Sequence, residues 1–224
     1  MRAIDVMVRD VVTVHADTDI AEAIKLLAEH DVSALPVVDA SNQLIGIISE
    51  ADLIHRVEIG TEKHRPWWQE AVTGASALAE DFAKSHGKKV EELMTADVVS
   101  ATEETPLSEI AALLEHHRIK RVPITRDGKL VGIVSQSNLI QALASAIVHS
   151  DATGEGDRAI RQALLERLEK QSWTDFGSRN VIVTGGTVHL WGLISSDPER
   201  KALIALAEEV PGVTRVSDEM FPTH

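Results

Sequence analysis

Two serines stand three residues ahead of a side-chain acceptor, each at the end of a glycine-bearing, β-prone stretch. Gly46-Ile47-Ile48-Ser49 leads to Asp52, and Gly132-Ile133-Val134-Ser135 leads to Asn138. A Leu-Ile pair follows each acceptor and opens an apolar helix face. A strand therefore runs into a helix start twice, with Ser and Asp or Asn at capping positions beside free N–H groups and the positive end of the helix dipole. A phosphate or a ribose could bind there. The Asp52 carboxylate suits a ribose diol, while the serine hydroxyl and free N–H groups suit phosphate; the Asn138 amide oxygen accepts more weakly. The glycines would let the backbone approach another group closely. The same residues also serve as plain N-caps that need no ligand.

Other chemistry finds no footing. The chain has no cysteine, so a disulfide framework, a thiol nucleophile and thiolate metal sites are excluded. It contains neither a Gly-x-Ser-x-Gly elbow nor a phosphate-cradling Walker loop. The acidic pairs Glu91-Glu92, Glu103-Glu104 and Glu208-Glu209 lie in charged contexts and read as solvated faces. Ten histidines are scattered, and the adjacent His116-His117 cannot face one way on a helix, so no metal site is expected. The net charge of −13 opposes nonspecific attraction to nucleic acid or to an anionic membrane. No apolar run approaches the roughly 18–20 residues of a membrane span, and the charged first residues form no export signal, so a cytoplasmic protein is expected.

The elements that must position the two serine pairs are themselves duplicated. Met7 falls on Met94, Asp10 on Asp97, Thr13 on Ser100, His30 on His117 and Pro36 on Pro123, all at an offset of 87, which becomes 86 after the turn, where Gly46 meets Gly132. Each copy begins with a β-prone segment, Val11 to Val14 or Val98 to Ser100. A helix follows, capped by Thr18, or by Thr105 with Pro106 at its first position. Its expected buried stripe is Ile20, Ala23, Ile24 and Leu27, or Leu107, Ile110, Ala111 and Leu114. Strand, turn (Ser41-Asn42 or Asp127-Gly128) and strand lead to Ser49 or Ser135 and the closing helix. The order is β-α-β-β-α.

With Val32 to Asp39 (VSALPVVD), Ile119 to Thr125 (IKRVPIT) and the two G-x-x-S-x-x-D/N endings, these segments resemble cystathionine-β-synthase-type (CBS) domains. Two in tandem look like a Bateman module. The resemblance implies an α+β fold in which residues 1–57 and 88–148 pair as a pseudo-twofold disc. Its clefts would take adenosine-containing ligands such as AMP, ADP, ATP, NAD or S-adenosylmethionine. In the principal cleft it implies, Ser49 and Asp52 face Ser100, Lys120, Arg121 and Pro123, with the two cations near phosphates and the backbone before Pro123 reading adenine. The second cleft would set Ser135 and Asn138 against Thr13, His15, Ser33, Ala34 and Pro36. It has no comparable cation pair, and Asn138 departs from the usual Asp, so a less charged ligand or none is expected there. Homodimers are expected through the closing helices, where Leu53, Ile54, Leu139, Ile140, Leu143 and Ile147 exceed what one disc buries.

Residues 58–87 are an insert opened by Pro66-Trp67-Trp68, with a helix expected over 75–86. The tryptophans are either an interaction patch or a cover for the disc edge. Residues 149–156 are small, polar and glycine-bearing, which suits a linker. Beyond it, Ile160, Leu164, Leu165 and Leu168 mark a helix. Val181 to Val183, the Gly185-Gly186 turn and Val188 to Gly192 mark a hairpin, in which His189 and Trp191 alternate with Val188 and Leu190. A helix with Ala202, Leu206 and Ala207 inward and a strand over 213–216 follow. This α-β-β-α-β order, with Gly185 to Ile194 (GGTVHLWGLI) and Val210 to Val216 (VPGVTRV), resembles a BON domain over 157–224. That resemblance implies contact with phospholipid or protein. Residues 151–224 carry 8 basic and 12 acidic side chains, net −4, which disfavours a membrane and favours a protein partner. The expected role is a non-enzymatic adenine-nucleotide sensor, with a dimerising scaffold or a detached regulatory subunit of an enzyme or transporter as alternatives.

Overall fold

The structure is a computed structural model that describes residues 1–54, 87–148, 153–174, 176 and 180–223. Trp67-Trp68 and the expected helix over 75–86 lie outside the described residues, as do 149–152 of the expected linker. The fold is α+β, and the chain divides into two compact units.

The first repeat builds one unit, with residues 12–98 and the hairpin tip 127–130. Helix α1 spans Ile20–Glu29, β1 Ala34–Val38, β2 Leu44–Ser49 and α2 Glu50–Leu53, and α3, Val90–Leu93, belongs to the same unit. Strands β1 and β2 are antiparallel, and Val14 makes a parallel bridge to Val37. Ile20, Ala23, Leu27, Leu35, Val37, Ile48, Val90 and Leu93 make the core.

The second unit takes residues 1–11, 99–126 and 131–224. A short 3-10 turn, Ala3–Asp5, leads it. Strand β3 spans Ala101–Thr102, α4 Leu107–His116, β4 Arg121–Arg126, β5 Lys129–Ser135 and α5 Gln136–Val148. Then come α6 Glu155–Leu168, β6 Asn180–Thr184, β7 Thr187–Ile194, α7 Asp197–Glu208 and β8 Arg215–Pro222. One sheet runs β3-β4-β5; the other runs β6-β7-β8, antiparallel then parallel.

The repeats exchange their leading segments. In the second unit, Ala3 N–H donates to the Thr105 carbonyl at 2.8 Å and Val8 and Ile133 bond each other reciprocally at 3.0 and 2.9 Å. In the first unit the same bonds recur 87 residues on: Val90 N–H to the Thr18 carbonyl at 3.0 Å, and Thr95 with Ile47 at 2.9 and 3.0 Å. Each leading segment thus satisfies the strand edge and helix entrance of the other copy.

Local detail departs from expectation at four places. Thr18 and Thr105 do not cap their helices. Their hydroxyls accept from His15 N–H at 3.1 Å and Thr102 N–H at 3.0 Å, which closes the turn before each helix. Asp19 and Pro106 are the N-cap residues, because their carbonyls accept the first helical N–H groups, from Ala23 and Ile110, at 3.1 Å. Pro106 therefore precedes the first helical position. Ile24, 46% exposed, and Ala111 sit on the edge of the stripe rather than in it, since Ile20, Ala23 and Leu27 already fill the width a core-facing helix needs. The second copy's first strand forms at 101–102 instead of 98–100, where β4 offers Ile124 and Thr125 as partners. The last strand runs through Phe221 and Pro222, because β7 continues beside it to Ile194.

Helix α6 buries Ile160, Leu164, Leu165 and Leu168 against one face of the β6-β7-β8 sheet, with Leu203 and Ala207 of α7 completing that core. The other face is buried too. Ile182 joins the core of the second repeat, Trp191 packs against it, and His189 is fully buried.

Candidate functional site

Each closing helix starts as the serine spacing requires. Ser49 ends β2, and its N–H and hydroxyl both donate to Asp52 Oδ2, at 2.8 and 2.7 Å. Ser135 ends β5 and donates the same pair to Asn138 Oδ1, at 2.8 and 2.9 Å. Both are reciprocal capping arrangements with the acceptor three residues on. They differ in what remains. Asp52 is half-buried, and its Oδ1 takes no hydrogen bond among the described residues. Asn138 is buried, and its Nδ2 donates to Gln141 Oε1 at 3.3 Å. Gln141 Oε1 also accepts from Asn180 Nδ2 of β6 at 2.7 Å. The first acceptor keeps a lone oxygen to offer; the second is spent on structure.

In the first unit, Ser33, Ala34, Ser49 and Asp52 gather at one end of the β1-β2 hairpin. Ala34 pairs with Ser49, and the Ser33 carbonyl accepts the Glu50 N–H at 3.1 Å. Pro36 lies buried in β1 beside the first-strand segment, its carbonyl accepting Val14 N–H at 3.1 Å, with Thr13 and His15 on either side of Val14. His15 Nδ1 is 2.9 Å from the Val38 carbonyl. A carbonyl only accepts, so Nδ1 carries the proton and Nε2 is left as the acceptor in the neutral ring.

The second unit repeats the pattern. The Lys120 carbonyl accepts the Gln136 N–H at 3.0 Å, as the Ser33 carbonyl accepts from Glu50. Lys120 is exposed, Arg121 half-buried and Pro123 buried, and Ser100 is exposed just before β3. Lys120 and Arg121 thus stand where the first unit has Ser33 and Ala34, so the cation difference between the two copies is real in space as well as in sequence.

The glycines approach protein, not ligand. A Cβ on Gly132 would lie 2.8 Å from Met7 Sδ and 3.0 Å from the Val8 carbonyl, and a Cβ on Gly46 would overlap Met94 Sδ. Their small size admits the exchanged leading segments. Gln141 and Asn180 are residues that sequence reasoning missed: they are 39 positions apart with no shared pattern, and the one signal was the Asn at 138 itself, which unlike Asp can donate. Among the described residues no group of acidic or histidine side chains could hold a metal ion, and no helix is long and apolar enough to cross a membrane.

Comparison with known proteins agrees with this organisation. The CBS domain model matches residues 3–59 and 90–145, and the BON domain model matches 156–220. An uncharacterized protein of Methanocaldococcus jannaschii, MJ1426, is 31% identical over 150 residues, covering 62% of this chain and 89% of its own. The chloroplastic CBS domain-containing protein CBSX1 of Arabidopsis thaliana is 32% identical over 139 residues, 59% of each chain. The solved structure of CBSX2 in complex with AMP superimposes with a TM-score of 0.56 at 28% identity, covering 64% of this chain and 97% of that one.

Proposed function

The chain belongs to the CBS-domain family and carries two CBS repeats followed by a BON domain, and from that premise we propose that it is a non-enzymatic regulatory protein that binds an adenosine-containing ligand through Ser49 and Asp52. The observation that carries this reading is the Asp52 carboxylate. Ser49 holds one oxygen in place and leaves the other open, which is what a ribose diol needs from an acceptor that must not reorganise on binding. The AMP bound by CBSX2 makes an adenine nucleotide the first ligand to test. In this reading Lys120 and Arg121 serve its phosphates, with Ser100 and Pro123 completing the principal cleft. Asn138, tied to Gln141 and Asn180, contributes little to the second.

The test is calorimetric titration of AMP, ADP, ATP, NAD and S-adenosylmethionine into the wild type, Asp52→Ala and Asn138→Ala. A hydrogen bond to a charged group contributes about 1.5–3 kcal/mol against about 0.5–1.5 for a neutral one, so Asp52→Ala should weaken binding about ten-fold more than Asn138→Ala. Melting of each variant separates this from a capping defect of about 0.5–2 kcal/mol. Retention of full affinity by Asp52→Ala, or loss through Asn138→Ala alone, sinks the assignment.

A second reading, a dimerising scaffold without ligands, draws on the exposed apolar face of α5. Absence of binding by all five ligands, together with a stable dimer, would favour it.

A further inference from the structure

Three guanidinium-bearing residues converge on one pocket away from the serine pairs. A cavity of ≈240 Å³ is lined by Arg9, Arg158 and Arg161, with Ile4, Ala159 and Gln162 completing the wall. All six belong to the same compact unit, Ile4 in the N-terminal turn, Arg9 just after it, and Arg158, Ala159, Arg161 and Gln162 on α6.

The charges there do not balance. Arg158 is neutralised by Asp5, which is buried and accepts its Nε at 2.7 Å and Nη2 at 3.3 Å. Among the described residues Asp5 has no second cation bonded to its carboxylate; its other donor is the Arg2 backbone N–H at 2.7 Å. Arg161 is buried and, among the described residues, bonds only carbonyls: Val181 at 2.7 Å, Ile4 at 2.9 Å and Met7 at 2.7 Å. Burial pushes its guanidinium down to about 9, with Arg9 pushing the same way and Asp5 opposing, so it remains charged at neutral pH. Among the described residues Arg9 bonds the Gln162 amide oxygen and no carboxylate. Glu166 lies one hydrogen bond further out, accepting from Gln162 Nε2 at 2.6 Å, and neither it, Glu104 nor Glu155 lines the cavity. The walls therefore carry three guanidinium groups, and among the described residues Asp5, paired with Arg158, is the one carboxylate bonded to any of them, in a chain of net charge −13. A buried charge without a counter-charge is costly, and a polar cavity with room for several waters can admit one. Guanidinium forks match a tetrahedral oxyanion, because their paired N–H groups meet two of its oxygens at once.

We propose that this pocket binds a small tetrahedral oxyanion of the phosphate class, and that the bound anion strengthens the hold of α6 on the N-terminal segment. The same chemistry could come from free phosphate or from a lipid headgroup; the chain's net charge of −13, which opposes approach to an anionic membrane, selects the free ion.

The experiment uses the full chain and inorganic phosphate at constant ionic strength, with chloride as the reference anion, read by calorimetry and by melting. The wild type should bind phosphate saturably and melt higher in its presence. Arg9→Gln, at a half-buried rim position, should still fold, bind about ten-fold more weakly and lose most of the melting increment. The double variant Asp52→Ala with Asn138→Ala should respond like the wild type, which separates this pocket from the proposed nucleotide site. Phosphatidic acid vesicles are the second arm, and neither wild type nor Arg9→Gln should sediment with them. No phosphate response, an equal response in Arg9→Gln, loss of the response in the double variant, or Arg9-dependent sedimentation without a phosphate response would each overturn the proposal.

Discussion

Single residues decide how closely the exchanged segments pack. Gly132 faces a backbone carbonyl, Val8 O, as well as the Met7 sulfur, whereas the three atoms nearest a Cβ on Gly46 all belong to the Met94 side chain. A methionine side chain can yield through its rotatable bonds, but a carbonyl that is itself hydrogen-bonded to Ile133 cannot. Gly132→Ala should therefore destabilise the protein by about 1–3 kcal/mol, and Gly46→Ala by less, since replacing a strand glycine recovers roughly 0.5–1 kcal/mol of chain entropy. Thermal melting of the two variants is the check. An equal loss, or a larger one for Gly46→Ala, would mean that the strand and not the contact sets the requirement. The capping residues show the same dependence on detail: Asp52 and Asn138 fill one geometric role, yet only the amide can donate onward to Gln141.

At the scale of elements, α6 is held by more than its apolar stripe. Arg161 joins β6 to the N-terminal segment through three carbonyls, Asp5 anchors Arg158, and Trp191 Nε1 donates to Ser145 Oγ of α5 at 3.2 Å. Removing the guanidinium relieves its desolvation but leaves buried carbonyls without donors, and the latter should win because each unmet buried group costs about 1–3 kcal/mol. Arg161→Met is expected to lower the unfolding free energy by about 3 kcal/mol. Arg167→Met, which disrupts an exposed pair with Glu209 at 3.7 Å, should change it by about 0–1 kcal/mol. Guanidinium chloride unfolding followed by circular dichroism compares the two, and similar midpoints would remove Arg161 from this structural role.

For the whole molecule, α5 supplies an apolar surface that one chain leaves uncovered. Ile140, Leu143 and Ile147 are 65%, 56% and 74% exposed and recur at helical spacing, while Gln141, Ala142 and Ser145 face inward. Fully burying such a side chain is worth about 1.5–3 kcal/mol, so two copies placed face to face would gain from six of them. We propose a homodimer through this face. Light scattering should give twice 24.4 kDa at tens of micromolar, and Leu143→Asp with Ile147→Asp should return the monomer mass. A monomeric wild type, or a dimer unaffected by the double substitution, would place the association elsewhere or nowhere.

The duplicated unit, the order of its elements and the two serine-acceptor starts were legible in the sequence because they rest on short-range facts: apolar periodicity, turn residues and a constant offset between copies. The α-β-β-α-β order of residues 155–222 was legible for the same reason. What only the tertiary structure decided involves partners far apart along the chain. The leading segments are so alike that periodicity cannot say which copy each one enters, and the reciprocal bonds of Val8 with Ile133 and of Thr95 with Ile47 resolve it. His189 and Trp191 alternate with the core residues as a solvent face would, but His189 is fully buried and Trp191 packs against the core of the second repeat. Arg161 meets Ile4 across 157 residues and Met7 across 154. No local pattern encodes a bond of that span; it exists because burying the second sheet face brings the guanidinium to carbonyls that would otherwise lose water without replacement.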